Sequence, residues 1–179
     1  DTYIDDMNMT DFHRLRLYMG NIDLRHHLLR LYPDVKEACF KAECLAREYV
    51  HEALRVKNKY KFNSVEIVEL LPVEHEARRL PKTGFYKGQP FWGSAEDRMT
   101  VRDAFNEKVR QLQGVYGGFT IIEWPSHYKH CTEFSVETNE VSGIFKDFEG
   151  PIVFKPGMLR FDVMEKPHSV HVAPSFYLW

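Results

Sequence analysis

The chain is poor in cysteine, and its three cysteines stand at none of the spacings that cysteine chemistry needs. Cys39 and Cys44 fall five residues apart on one predicted helix, on different sides, and Cys131 is isolated. The lack of any Cys-x-x-Cys pair excludes a zinc ribbon and a thioredoxin-type motif, and no disulfide framework is expected. An excess of charge is missing too: 24 basic against 26 acidic side chains give a formal net charge of −2. That balance leaves no electrostatic footprint for nucleic acid and no polybasic face for a membrane. No apolar run is long enough for a signal peptide or a membrane span. Gly-x-Ser-x-Gly, Walker and dinucleotide fingerprints are absent, and no His-x-His or His-Glu-x-x-His pair recommends a metal. These absences lead to the expectation of a cytoplasmic protein in a reducing setting, without metal or cofactor.

What is present suits one globular domain over residues 1–179. Hydrophobic residues make up 44% and charged residues 28%, enough for a substantial core. The nine histidines and 14% aromatics suit a ligand-binding surface. Asp1 to Thr10 is acidic and polar without periodicity, and there is no initiator Met, as expected for a processed or partial product.

Hydrophobic patterning divides the chain into alternating strands and helices. Residues 14–19 alternate polar and apolar, the period of a strand with one covered face. Arg14 and Arg16 conflict with a fully buried parallel strand, so this strand is expected either at a sheet edge or with its second face covered from elsewhere. Residues 34–57 carry a helical stripe from Val35 to Leu54, started by Asp34 and Glu37 in a capping-box-like pattern after Pro33. Ser64 to Leu71 is a strand closed by Pro72. Val73 to Gly93 has no periodicity and reads as a long loop, a length that in compact domains commonly serves function. Ser94 and Asp97 cap a second helix that ends near Gly114, with Arg98 and Asn106 placed as structural anchors. Phe119 to Trp124 is a third strand. Beyond it the pattern weakens, with a short helix expected around Val141–Phe148.

Strand, helix, strand, helix, strand predicts right-handed βαβ units and a three-layer α/β fold on a parallel sheet. Ligands in such folds sit beyond the carboxyl ends of the strands. Three polar strand ends are therefore expected to meet: Gly20-Asn21-Ile22-Asp23, Pro72-Val73-Glu74-His75 and Trp124-Pro125-Ser126-His127. The first continues into Leu24-Arg25-His26-His27 and is the leading candidate for the floor of a site. Asn21 and Asp23 offer a donor and an acceptor there, or else satisfy backbone groups of a turn. Arg25 and His27 offer contacts to an anionic or carbonyl group. Near the C-terminus, His168 and His171 are candidates for a ligand contact and a general base.

The block Gly20-Asn21-Ile22-Asp23-Leu24-Arg25-His26-His27 resembles the Gly-x-x-Asp-x-Arg-x-His block in a branch of the SGNH/GDSL-like hydrolases, with Gly93, Arg98 and Phe105-Asn106 adding to the likeness. The resemblance spans roughly residues 14–175, and the texture is also similar to proteins encoded by tailed phages, which implies a host cytoplasm or a virion. It implies a flavodoxin-like sheet, incomplete at the N-terminus, and hydrolysis of an ester or acyl group on a small molecule or carbohydrate. It also implies His171 and Asp23 as catalytic groups, with Gly20, Asn21, Arg25, His27 and His168 around the substrate. The family's Gly-Asp-Ser nucleophile block is absent, and its Asp-x-x-His block reads His168-Ser169-Val170-His171. Either the serine lies upstream or the chemistry has changed. The alternatives are a non-catalytic binding or structural module and a phosphoester hydrolase using Asp23, Arg25 and histidines.

Overall fold

A computed structural model describes residues 14–75, 77, 82, 84–85, 87–89, 91–137 and 151–163. Strand β1 (Arg14–Leu17) leads through a π-helical turn (Asp23–His27) and a short helix α1 (Leu28–Leu31) into the long helix α2 (Val35–Tyr60). Strand β2 (Ser64–Val68), helix α3 (Ala95–Tyr116) and strand β3 (Thr120–Ile122) follow. The three strands form one parallel sheet in the order β1-β2-β3. When strands are added in one direction, right-handed connections put both crossover helices on the same face, and α2 and α3 do pack on each other. The result is a three-layer α/β fold with the helices over one face and the segment after β3 over part of the other.

Register explains the layers. Leu15, Val65 and Leu17, Ile67, Ile121 are cross-strand partners, and all point to the helices. Against them α2 buries Ala38, Ala42, Ala46, Val50 and Ala53, a stripe at four- and three-residue steps. These small side chains let α3 come close with Val101, Phe105, Val109 and Leu112. Asp34 caps α2 by accepting from the Glu37 amide at 2.9 Å. The helix outlasts its apolar stripe, ending after Tyr60 at Lys61, whose left-handed φ of 58° closes it. Lys57 and Lys59 in the last turn suit the negative end of the helix dipole.

The opposite face resolves the conflict posed by the two arginines. β1 is an edge strand of this sheet, and Arg14 and Arg16 point away from the helices, where Glu66 on β2 takes both. Arg16 Nε lies 2.7 Å and an Arg14 guanidinium nitrogen 3.3 Å from its carboxylate. Toward the carboxyl end the same face turns apolar: Val68, Leu71, Trp124, Tyr128, Leu159 and Val163 form a second cluster, with Ile122 against it. Two short turns, Ser126–Tyr128 and Phe161–Val163, supply part of it. A small antiparallel pair, β4 (Phe134–Val136) and β5 (Ile152–Phe154), completes the fold. Its inward residues Ile152 and Phe154 join the main core. The helix expected around Val141–Phe148 lies outside the described residues.

Candidate functional site at the carboxyl edge of the sheet

The chain leaves β1 through Tyr18 and Met19 and turns at Gly20, whose φ is +96°. A Cβ here would meet a Leu70 methyl at 2.9 Å, so the position favours glycine on both conformation and space. The Gly20 carbonyl accepts from Leu24 N at 3.1 Å and starts the turn. Asn21 then ties it to the neighbouring strand: its Oδ1 accepts from the Leu71 amide at 2.8 Å. This is the turn-building role expected of an Asx residue, and it leaves the amide NH2 as the donor Asn21 has to offer.

Asp23 does not bond to the backbone in the same way. Residues 23–27 form a π-helical turn, closed by the Leu28 amide on the Asp23 carbonyl. Residues four apart on a helical turn are neighbours, and Asp23 Oδ1 lies 3.1 Å from His27 Nδ1. Both side chains are about two-fifths exposed, at 42% and 41%. Leu24, His26, Leu28 and Leu29 face the opposite way and are buried. His26 packs on the Phe91 ring at 5.7 Å, so the turn is clamped from inside while Asp23 and His27 stand toward water. Arg25 is in the same turn, with its side chain outside the described residues. His168 and His171 also lie outside them. The structure thus gives Asp23 a histidine partner, His27, that the sequence pattern had set among substrate contacts.

The three strand ends do meet, but not all of them present their polar groups. Asn21 joins the first to the second. Trp124 joins the third to both, through Nε1 donating to the Glu69 carbonyl at 2.8 Å and its ring against Tyr18 at 5.7 Å. The second end turns inward instead: Glu74 and His75 are only 3% and 7% exposed. His75 Nδ1 accepts from Ala77 N at 3.0 Å and its ring packs on Phe154 at 5.6 Å. The Val73 carbonyl accepts from Leu159 N at 2.8 Å, so later chain covers this end. Ser94 is the helix cap expected: its hydroxyl accepts from Asp97 N at 3.1 Å and its amide donates to Asp97 Oδ2 at 2.9 Å. Arg98 is the expected anchor. Fully buried, it donates to the Gly93 carbonyl at 2.6 Å and the Glu74 carbonyl at 2.7 Å, joining both ends of the long loop. Asn106 anchors the strand end, accepting from Leu70 N at 3.0 Å.

Two titratable groups lie outside the residues that the sequence assigned to the site. Glu69 ends the central strand with its side chain 5% exposed, against the Arg110 guanidinium. Burial raises its pKa, and this outweighs the lowering by Arg110 and Lys129. Its signal was the second of two glutamates, Glu66 and Glu69, in the largely apolar run Ser64 to Leu71. His130 packs on Phe134 at 4.7 Å and Phe154 at 4.8 Å. Its Nε2 is buried without a hydrogen-bond partner among the described residues. Burial, then the positive Arg160, lower its pKa from 6.5, with Asp162 opposing. The native state therefore takes up the proton less readily than the unfolded chain. His130 contributes stability that is complete above pH 6.5 and lost as pH falls from there through the folded value. Thermal unfolding of the wild type and His130→Gln at pH 7.5 and 5.5 checks this: the variant should lose less on acidification. An identical loss in both rules the effect out.

Among the described residues, no group of three or more histidine, cysteine, aspartate or glutamate side chains is placed to hold a metal ion, and no helix is long and apolar enough to cross a membrane. Comparison with protein-family models, with curated proteins and with solved structures finds no match to this chain.

Proposed function

We propose that the chain is a hydrolase of ester or acyl bonds, with Asp23 and His27 as its acid–base pair. The observation that carries this reading is the Asp23–His27 contact of 3.1 Å, exposed to solvent at the carboxyl edge of a parallel sheet. A carboxylate on Nδ1 fixes the tautomer of the ring, so the lone pair falls on Nε2, where a base takes its proton. The likeness of Gly20–His27 to SGNH-type blocks points to the same chemistry. The nucleophile we assign is water, activated by His27. Asn21, held by Leu71, offers its NH2 as a donor to a carbonyl oxygen.

The test is hydrolysis of short-chain p-nitrophenyl esters by the purified chain. Turnover above buffer is expected, with loss in a His27→Ala, Asp23→Ala double variant that folds as the wild type does. Turnover at the buffer rate across the ester series sinks the proposal. A non-catalytic binding module is the second reading, favoured by the apolar residues left exposed beside the turn, Tyr18, Met19 and Ile22.

A further inference from the structure

The parallel sheet runs β1-β2-β3, and among the described residues no strand lies beyond β1, Arg14–Leu17. We infer that this edge is a docking site for an extended segment of a partner protein, one with carboxylates at alternate positions and apolar residues between them. The inference stands apart from ester hydrolysis and requires no turnover.

Alternate residues of an edge strand turn their N–H and C=O groups away from the sheet, a row that water or another strand satisfies. The side chains of β1 then select which strand fits. Leu15 and Leu17 lie on the helix side and are only half-buried, so the apolar layer reaches the edge unfinished. Arg14 and Arg16 lie on the other side, with side chains 64% and 37% exposed. Both turn to one carboxylate, Glu66, and among the described residues neither has a second ionic partner. Arg16 engages it through Nε alone, which leaves the outer nitrogens of its fork as open donors. The neighbours on that face carry no charge: Thr120 is the strand partner of Glu66 on β3, and Tyr18 meets the Trp124 ring edge-on. Two guanidinium groups therefore share one carboxylate along the outer row of an open edge.

That pattern excludes a second copy of this chain and favours an acidic strand. Residues opposite each other on paired strands share a face, and like charges opposite each other are destabilising. With the leucines of both copies kept on the helix side, the registers of greatest overlap set Arg14 beside Arg16, or Arg16 beside itself. A partner strand with carboxylates at alternate positions removes this conflict. Its carboxylates meet the open guanidinium donors, and the apolar residues between them extend the Leu15–Leu17 layer. The arginines that discourage unselective edge pairing thus specify the partner.

The experiment is a titration of the isotope-labelled chain with the end-capped peptide Val-Glu-Val-Glu-Val-Glu, followed by backbone amide shifts and hydrogen exchange. Saturable shifts are expected over residues 14–18, with exchange slowed at the amides that face outward. The same peptide N-methylated throughout should not bind, because it has no N–H to pair with a strand. Replacing its glutamates by lysines should weaken binding about tenfold, and so should the double change Arg14→Gln, Arg16→Gln. Glu66→Gln should act the other way and tighten binding about threefold, because it releases both arginines. Unchanged spectral dispersion shows that each variant is folded. Shifts that never saturate overturn the proposal, as does equal binding of the lysine or N-methylated peptide. A folded double variant that binds as the wild type does, or a folded Glu66→Gln that binds no more tightly, also overturns it. So do shifts over residues 14–18 that follow the concentration of the chain itself, which identify a second copy as the occupant. Amides over residues 14–18 that all exchange slowly without peptide show that the edge is already filled, and overturn it too.

Discussion

Arg98→Leu should cost about 3–5 kcal/mol of stability, the scale for removing a buried charged donor from its acceptors. At about 2–4 °C per kcal/mol for a domain of this size, the melting temperature should fall on the order of 10 °C. The size of the effect follows from what the guanidinium reaches. It spans from the Gly93 carbonyl at 2.6 Å to the Glu74 carbonyl at 2.7 Å, with Trp92 O at 3.5 Å, and lies over the Phe91 ring at 5.3 Å. Leucine fills much of the volume but leaves carbonyls without a donor in a site closed to water. Arg98→Lys should lie between, because one ammonium cannot hold two carbonyls in the planar geometry of the fork. Denaturant unfolding measures the difference, and limited proteolysis should cut faster between Glu74 and Gly93 in the leucine variant. A loss under about 1 kcal/mol, with cleavage unchanged, would show that Arg98 does not hold the loop.

That anchor was legible in the sequence because a charged residue sat on the apolar face of a helix whose start was already fixed by Ser94 and Asp97. The same logic made both long helices legible, each with enough residues for its period to show, while the three parallel strands stood out as hydrophobic runs stopped by Gly20, Pro72 and Pro125. The arginines of β1 were visible as a conflict, but their partner was not. Glu66 is 50 residues from Arg16, and only the strand register brings the two together. Three-residue strands such as Phe134–Val136 and Ile152–Phe154 are too short to display alternation. Their identity is set by the pairing itself. Glu74 and His75 looked like mouth residues because they follow Pro72, yet the strand end is covered from both sides. Arg98 reaches it from α3, and Leu159 and Phe154 cover it from the C-terminal segment.

The candidate site shows the same division. The polar strand end at Gly20 was visible as an abrupt change of composition. The pairing within it was not, since Asp23 and His27 become i, i+4 neighbours only once the polar turn after Gly20 is helical. Asp23 and His27 become a pair through backbone geometry. Glu69 and His130 owe their shifted acidities to burial by residues far away in sequence, which no local pattern records.

For the proposed ester hydrolysis, His27→Ala should lower kcat by about 10²–10⁴, the range that a positioned general base contributes. Asp23→Asn should lower it less and leave KM nearly unchanged, since Asp23 acts on the tautomer and orientation of the ring and not on the substrate. If the two residues work as a unit, their effects do not add: Asp23→Asn should do little once His27 is alanine. Added imidazole should restore part of the activity to His27→Ala, because a small base can enter the space the ring vacates. It should restore none to Asp23→Asn, where the ring is still in place. Both positions are half-exposed, at 42% and 41%, so neither change should unfold the chain. Fully additive losses, with imidazole giving no rescue, would remove His27 from the role of base and leave its contact with Asp23 as a brace of the π-helical turn.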